Sequence, residues 1–292
     1  MASIAKLDTI ENYEQNLEEY RNKRFTYVPL PADKKYVNTE ENEVYDFEPE
    51  QFIYADSTIY TAIEKLQNQP FLFPRMENRI GYDGNELYIQ SYGDPREESL
   101  GSCIEAAENY PDKKEEIINT IEGQRLYIIT LADLNRRKTK EALYPLLAEL
   151  ESVFASKIGE AYPGEQQIEV IPELGSGTID RWGNARKDGL EMHVAEFMTL
   201  SEMLKVVGKT EEIREQFGFS SRNKFDDYTG GLINLRNPVM HSSRTLVHSR
   251  EDLKKLVERI DRCVELIQES GVNVYLRQYS DQEQDPWYDD II

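Results

Sequence analysis

The fold of the C-terminal half of the chain is decided by SREDLKKLVERIDRCVELIQESG, residues 249–271. Ser249 and Asp252 have the spacing of a capping box at a helix N-terminus, and Gly271 is a typical helix end. The apolar residues between them recur every three or four positions, which is the period of an amphipathic α-helix. We therefore predict a helix over 250–270 with a buried stripe of Leu253, Leu256, Val257, Ile260, Val264 and Ile267.

A second stripe upstream predicts a longer helix over Leu131–Ile158. Its members are Leu143, Leu146, Leu147, Leu150, Val153, Phe154 and Ile158. Glycine and proline are frequent over 159–189, which predicts a long connecting loop there. Thr199 and Glu202 form another capping box before the next helix. The shorter helices predicted between the two long ones are 200–207, 211–217 and 223–236.

The N-terminal half combines strands with helices. One helix is predicted over Ile10–Arg24 and another over 57–66, with Ser57 or Asp56 as the N-cap of the second. Residues 76–123 form an acidic insertion with many turn residues. Within that insertion we expect two edge strands and a helix near 102–110. The strands predicted outside the insertion are 71–73 and 126–129.

The charge of the chain is strongly negative. Its 292 residues include 34 Lys and Arg against 55 Asp and Glu, a net charge of −21. Such a field repels a phosphate backbone, so the composition argues against generic DNA or RNA coating and against binding to anionic membranes. Two explanations stay open: an acidic surface adapted to a salt-rich cytoplasm, or charge that serves solubility alone.

The location expected from the sequence is the cytoplasm. The best apolar run, Leu126–Ala132, is much shorter than the roughly 20 residues of a membrane-spanning helix. The first residues lack the apolar segment of a signal peptide. Cys103 and Cys263 provide neither a disulfide framework nor a zinc site, so no metal is predicted.

Thr130 and Asp133 follow the strand predicted at 126–129 in a Thr-x-x-Asp pattern. The order helix, strand, strand and Thr-x-x-Asp resembles one motif of a CBS domain. The resemblance implies that the Thr130 hydroxyl and the Asp133 carboxylate hold the phosphate and ribose of an adenine nucleotide, as a regulatory ligand. The alternative is that both residues form a capping box, which requires no ligand.

Basic residues follow that motif directly. Arg136 and Arg137 begin the densest basic run of the chain, which continues with Lys138 and Lys140. Cations in the first turns of a helix oppose its dipole, so helix stability does not explain the run. Arg136 and Arg137 are therefore candidate contacts to the nucleotide phosphate. The alternative is that the run is simply solvated.

Arg236, Asn237 and His241 form the second motif, within LRNPVMH at 235–241. The motif matches the Arg-x4-6-His signature of HEPN domains, and the Leu150–Glu151 pair resembles part of the first HEPN helix. The resemblance covers about residues 141–271. It implies metal-independent cleavage of single-stranded RNA by a homodimer, through attack of a ribose 2′-hydroxyl on the adjacent phosphate. In that reaction Arg236 would stabilise the phosphorane, His241 would act as general acid or base, and Asn237 would orient one of them.

Two features of the second motif bear on its geometry. Pro238 lacks a backbone N–H and is expected to push Asn237 away from helical geometry. Arg236 and His241 are five positions apart, about 140° around an ideal helix. The alternative interpretation is structural: Arg236 forms an ion pair, Asn237 caps a helix end, and His241 is a satisfied interface histidine.

The sequence as a whole predicts an α+β protein. A CBS-like α/β domain is expected over 1–140, an all-α HEPN-like bundle over 141–275, and an acidic, disordered tail over 276–292. One predicted function is a nucleotide-regulated ribonuclease of the toxin or defence type. The other is a non-catalytic nucleotide sensor or scaffold whose helical bundle only dimerises.

Overall fold

The computed structural model is α+β, with its strands in the N-terminal part and helices in the C-terminal part. It divides into two units, one ending at Asp133 and the other beginning at Leu134, whereas the sequence predicted a boundary after residue 140. Each unit is described by itself. The structure describes residues 2–4, 10–23, 25–30, 35–54, 57–75, 78–83, 86–91, 126–241 and 243–272.

The N-terminal unit is built from short strands, a 3₁₀ helix (Pro49–Gln51) and two α-helices in its described part. The helices are α1 (Ile10–Asn22) and α2 (Ile59–Leu66). The strands pair as β1 with β9, β2–β3–β4, β5 with β6, and β7 with β8; only β5 and β6 run parallel. Their bounds are β1 (Ala2–Ile4), β2 (Tyr27–Leu30), β3 (Lys35–Asn38), β4 (Glu43–Asp46), β5 (Phe52–Tyr54), β6 (Phe73–Arg75), β7 (Asn78–Asp83), β8 (Glu86–Ser91) and β9 (Leu126–Ile128).

A parallel β-α-β unit, β5–α2–β6, leads to the first motif. Leu72, directly before β6, exchanges two backbone hydrogen bonds of 2.8 Å with Ile129, which directly follows β9. Helix α2 is confirmed, but its N-cap is Thr58 instead of Ser57 or Asp56, because the Thr58 hydroxyl accepts the Thr61 N–H at 3.3 Å. The edge strands predicted in the acidic insertion are present as β7 and β8.

All the regular secondary structure in the described part of the C-terminal unit is helical. Short 3₁₀ helices cover Gly164–Glu173 and Val194–Phe197, and another, Asp133–Asn135, lies at the start of the unit. The α-helices are α3 (Arg137–Ala161), α4 (Ser176–Lys187), α5 (Leu200–Lys209), α6 (Glu211–Gln216), α7 (Arg222–Thr229), α8 (Leu232–Met240) and α9 (Arg250–Glu269).

The core of this unit lies along α3. All seven members of the stripe predicted for this helix are buried. On α9, Val257 and Val264 are only half-buried, whereas Cys263 and Leu266, which were not predicted, are buried. Contacts of α9 therefore follow an alternating spacing of three and four residues, which keeps one seam facing α3. The buried seam is Leu253, Leu256, Ile260, Cys263 and Ile267.

The loop predicted over 159–189 is wrong, because this stretch contains a 3₁₀ helix and α4. A glycine costs only about 1 kcal/mol inside a helix, so packing can outweigh it. On α4 the indole of Trp182 is buried and donates to the Met192 carbonyl at 3.3 Å, and the Thr178 hydroxyl donates to the Glu202 carboxylate at 3.0 Å.

Two glycines explain further differences from the predicted helices. The helix predicted over 223–236 is two helices, α7 and α8, because Gly231 has a left-handed φ of 94°. The helix predicted to stop at Gly208 continues to Lys209. A Cβ on Gly208 would lie 3.2 Å from the ring of Phe225, so this glycine permits close approach of α5 and α7.

The remaining sequence predictions in the N-terminal half and the tail fall partly outside the described residues. These are the helix near 102–110, Cys103 and the tail over 276–292. None of the helices in the described part of the chain has the length and apolarity that a membrane span requires.

Candidate functional site

The Thr130–Asp133 motif forms a closed turn at the end of β9. The Asp133 carboxylate accepts hydrogen bonds from the backbone N–H of Thr130 at 2.9 Å and from its hydroxyl at 3.0 Å. The Asp133 N–H in turn donates to the Thr130 carbonyl at 3.0 Å. The two residues predicted to hold a nucleotide, Thr130 and Asp133, therefore form hydrogen bonds with each other, in the manner of a capping interaction.

The long helix does not begin at this motif, contrary to the predicted start at Leu131. Residues Asp133–Asn135 form a 3₁₀ helix, and α3 begins at Arg137 with Arg136 as its N-cap. Arg137 donates through Nε to the Glu141 carboxylate at 2.6 Å, and the Lys138 ammonium lies 3.4 Å from the same carboxylate. Because α3 begins at Arg137, the backbone N–H groups of its first turn belong to the C-terminal unit.

Helix α8 carries Arg236 and packs against α3. The Nε of Arg236 lies 3.3 Å from a carboxylate oxygen of Glu151, and about a quarter of each side chain is exposed (26% and 27%). This contact is an ion pair, as the structural interpretation predicted for Arg236. It also fixes the guanidinium at the surface of the helix pair, where one side of it still faces solvent.

Asn237 and His241 lie at the C-terminal end of α8. Asn237 remains helical and its carbonyl accepts the His241 N–H at 3.1 Å, so the displacement expected from Pro238 is wrong. The proline removes only the bond to the Asn234 carbonyl, whose residue is exposed. His241 leaves the helix with φ −118° and ψ 107°, so the angle of an ideal helix does not apply to it.

The His241 side chain is exposed, and its imidazole makes no hydrogen bond to the described residues. It therefore differs from His193, whose Nδ1 accepts the Ala195 N–H at 3.1 Å while its Nε2 lies 2.9 Å from the Tyr162 carbonyl oxygen. His193 is satisfied on both ring nitrogens. The structural interpretation expected His241 to be a histidine with its hydrogen bonds satisfied. Among the described residues of this chain, its imidazole has no such partner.

Two side chains that the sequence did not single out hold the segment after α8. The ammonium of Lys140, a buried residue, donates to the carbonyl oxygens of His241, at 3.3 Å, and of Arg244. Asn135 accepts the Leu246 and Val247 N–H groups at 2.7 and 2.9 Å and donates to the Val247 carbonyl at 2.8 Å. Residues 241–247 are thereby fastened to the start of α3.

The attachment of residues 241–247 to the start of α3 is difficult to predict from sequence patterns. Both side chains bind backbone groups more than 100 positions away in the chain, and a backbone acceptor has no sequence signature. The spacing of Lys140 and Glu151 on α3 is the only available signal, because it puts them on one face of the helix. They contact His241 and Arg236, so α3 and α8 run antiparallel.

Cys263 is not a nucleophile in this structure. It is fully buried in α9, and burial raises the pKa of its thiol to about 12, so the thiol stays protonated near neutral pH.

Comparison of the chain with protein-family models, with curated proteins and with solved structures gave no match.

Proposed function

We propose that the C-terminal unit is a HEPN-like ribonuclease module that cleaves single-stranded RNA with Arg236 and His241. The observation that carries the proposal is the end of α8, where the exposed imidazole of His241 directly follows a helix that carries the half-buried guanidinium of Arg236. The contact with Glu151 holds the Arg236 guanidinium in position, and the hydrogen bond from Lys140 holds the His241 backbone in position. Fixed groups of this kind stabilise charge that develops during a reaction.

The proposed chemistry needs one attack and two proton transfers. The 2′-oxygen of a ribose attacks the adjacent phosphorus, the 2′ proton leaves to a base, and the bond from phosphorus to the 5′-oxygen breaks. The departing oxygen takes a proton from an acid, and a cyclic phosphate remains. Histidine can serve as the base or as the acid near neutral pH, and the Arg236 cation faces the negative charge of the phosphorane.

The test is cleavage of an end-labelled single-stranded RNA by the purified chain in the presence of EDTA. We expect slow cutting, with new 3′ ends that mass spectrometry identifies as cyclic phosphates. RNA that stays intact, or products that end in a free 3′-hydroxyl, would contradict the proposal.

A second candidate function is a non-catalytic scaffold, and the Arg236–Glu151 ion pair favours it. The pair gives Arg236 a structural role that is complete without any ligand. In that case the helical unit would serve only to join two copies of the chain. The cleavage assay separates the two functions, because a scaffold leaves RNA intact.

A homodimer is part of both proposals, and its interface needs apolar side chains that are exposed in one chain. The stripe of α3 and the buried seam of α9 lie inside the unit and are not available to a partner. The exposed large apolar side chains of α3 and α8 are Tyr144, Ile233 and Met240. We call these three residues the apolar face.

We expect light scattering to give twice the mass of one chain, and the double variant Tyr144→Glu and Ile233→Glu to give the mass of one chain. Two buried carboxylates without partners are costly at an interface. The matched control is Ile168→Glu with Leu190→Glu, since these side chains are as exposed (48% and 52%) but lie elsewhere. A wild-type chain that stays monomeric, or a control that dissociates equally, would contradict this dimer.

We also propose that the N-terminal unit binds an adenine nucleotide as a regulator, in the manner of a CBS motif. What supports this is the order β5, α2, β6, β9 and the Thr130–Asp133 turn, in which Leu72 joins the ends of β6 and β9. The hydroxyl and carboxylate of the turn would exchange their mutual hydrogen bonds for bonds to the nucleotide.

AMP or ATP is expected to raise the melting temperature, because a ligand at 100 times its Kd stabilises the folded state by about 2.7 kcal/mol. Thr130→Val, which removes the hydroxyl but keeps the shape, should abolish this shift, whereas Thr130→Ser should retain it. Differential scanning fluorimetry measures the three proteins. Equal shifts in all three, or none in the wild type at millimolar nucleotide, would leave the turn as a purely structural cap.

A further inference from the structure

The three-stranded sheet of the N-terminal unit has one open edge, the outer side of β4 (Glu43–Asp46). In the described part of the chain the strands lie in the order β2–β3–β4, so β2 and β4 are the two edges. The β2 edge is closed, because Pro29 lacks an N–H and lies buried between two buried neighbours, Val28 and Leu30. All four residues of β4 are exposed. Another extended chain can therefore reach the backbone groups of β4 that point away from β3.

Two rows of apolar side chains, one on each face of the sheet, end at this edge. Val28, Val37 and Val44 lie in register across the three strands. The first two are buried, at 3% and 0% exposure, whereas Val44 is 38% exposed. On the opposite face Tyr36 stacks on Tyr45 with 5.3 Å between the ring centroids, and Tyr45 is 36% exposed. A further strand beside β4 would cover Val44 and Tyr45 and extend both rows.

The surroundings of β4 are acidic. Residues 40–50 include six acidic residues and no basic one. Among the described residues, Asp46 is the one of these six that forms an ion pair, with Lys35 at 3.7 Å. The hydrogen bonds of the Tyr45 hydroxyl to Glu43, at 2.7 Å, and to Glu41, at 3.0 Å, raise the pKa of Tyr45, so its hydroxyl stays neutral. The edge is therefore negative, and it suits a strand that carries lysine or arginine.

The same charges oppose pairing with a second copy of β4. In the antiparallel two-fold pairing of two such strands, Glu43 of each copy lies opposite Asp46 of the other. Like charges directly opposite each other destabilise a strand pair, whereas opposite charges stabilise it. The edge is thus protected against self-association but remains open to a basic strand.

We infer that β4 binds an extended basic peptide segment of another protein, which adds a fourth strand to the β2–β3–β4 sheet. In antiparallel pairing, two basic residues of that segment lie opposite Glu43 and Asp46, and the two apolar residues between them lie beside Val44 and Tyr45. Backbone hydrogen bonds supply the affinity, and the side chains select the partner. This inference concerns the N-terminal unit and does not depend on RNA cleavage by the C-terminal unit.

The test uses the whole chain and a fluorescent peptide, Arg-Lys-Val-Ile-Lys-Arg, in an anisotropy titration. We expect saturable binding that weakens between about 0.1 M and 1 M salt, because salt screens the charges. Two further versions of the peptide carry N-methyl groups on either the odd-numbered or the even-numbered residues. Alternate residues of an antiparallel strand direct their N–H groups to opposite sides, so only one of the two sets faces β4. One version should lose binding and the other should retain it.

A charge reversal of the edge tests the choice of partner. Glu43→Lys with Asp46→Lys should bind the basic peptide about 10-fold more weakly, because two pairs of opposite charges become pairs of like charges. The same variant should bind the acidic peptide Glu-Glu-Val-Ile-Glu-Glu, which the wild type should not bind. The matched control is Glu169→Lys with Glu196→Lys, an equal change of charge on exposed residues of the C-terminal unit. It should bind the basic peptide as the wild type does.

Three results would overturn the inference. The first is the absence of saturable binding, and the second is equal binding of the two N-methylated peptides. The third is light scattering in which the basic peptide converts a dimer into monomers, since the edge would then join two copies of the chain. Equal peptide binding by the charge-reversed variant and its control would also contradict it. Circular dichroism checks that both variants fold, and the N-methylated peptides test the wild-type chain even if a variant does not.

Discussion

Replacement of His241 by alanine is expected to lower the rate of RNA cleavage by about 10²- to 10⁴-fold, the usual contribution of a general acid or base. The melting temperature should stay unchanged, because the side chain is exposed and its imidazole makes no hydrogen bond to the described residues. The measurement is single-turnover cleavage of labelled RNA, with a thermal melt of the same preparation.

The matched control for that experiment is His248→Ala. His248 is also exposed and lies seven positions further along the chain, where its backbone N–H donates to Asp252 at 3.0 Å. Its replacement should leave cleavage at the wild-type rate, since alanine keeps that N–H. Equal cleavage by His241→Ala and the wild type would assign the activity to a contaminant and would favour the scaffold.

Replacement of Glu202 by alanine is expected to be the most destabilising polar substitution in the C-terminal unit. The carboxylate is buried and accepts hydrogen bonds from the Thr199 N–H at 2.7 Å, from the Gly175 N–H at 2.6 Å and from the hydroxyls of Thr199 and Thr178. Alanine leaves the buried Thr178 hydroxyl without its acceptor and also removes the acceptor of the Thr199 and Gly175 donors, which are part-buried, at a cost of about 2 kcal/mol. Chemical denaturation measures this change in the free energy of unfolding.

The effect of Glu202 should depend on pH. Burial alone raises the pKa of its carboxyl, but the hydrogen bonds from Thr199, Gly175 and Thr178 outweigh burial and lower it below the ordinary value of 4.5. A carboxyl with a lowered pKa in the folded state stabilises the fold above pH 4.5, and this contribution is lost as the pH falls through the folded pKa. The difference between wild type and Glu202→Ala should therefore shrink in acid.

Glu196→Ala is the control, because it removes an exposed carboxylate six positions away and should cost little at any pH. A Glu202→Ala protein as stable as this control near neutral pH would mean that the donors find other acceptors or water. A difference that grows in acid would contradict the assigned direction of the pKa shift.

The sequence is most informative where one local pattern determines a whole element. The seven buried residues of α3 and the capping box of Thr199 and Glu202 were predicted correctly, because periodicity and caps act over a few neighbouring residues. Helix α4 was missed because its stability depends on Trp182 and on Glu202, which belongs to another helix. Such contacts leave no periodic signal in the segment itself.

The candidate site was predictable in its residues but not in its connections. Arg236 and His241 were identified by a motif, and the ion pair was one of the predicted alternatives. The partner of that pair, Glu151, lies 85 positions away, so only the packing of two helices could identify it. The basic run at Arg136 was predicted to accompany the Thr130 motif, whereas the hydrogen bonds of Asn135 attach that stretch to the segment after α8.

The attachment of α8 at two points also has an entropic meaning. Lys140 holds the backbone at the end of the helix, and Glu151 holds the guanidinium of Arg236. The conformational freedom of these groups is lost when the chain folds, so it is not lost again when a ligand arrives. A ligand that binds at this end of the helix therefore meets two groups that are already in position. Less of its binding free energy is offset by the cost of ordering the protein.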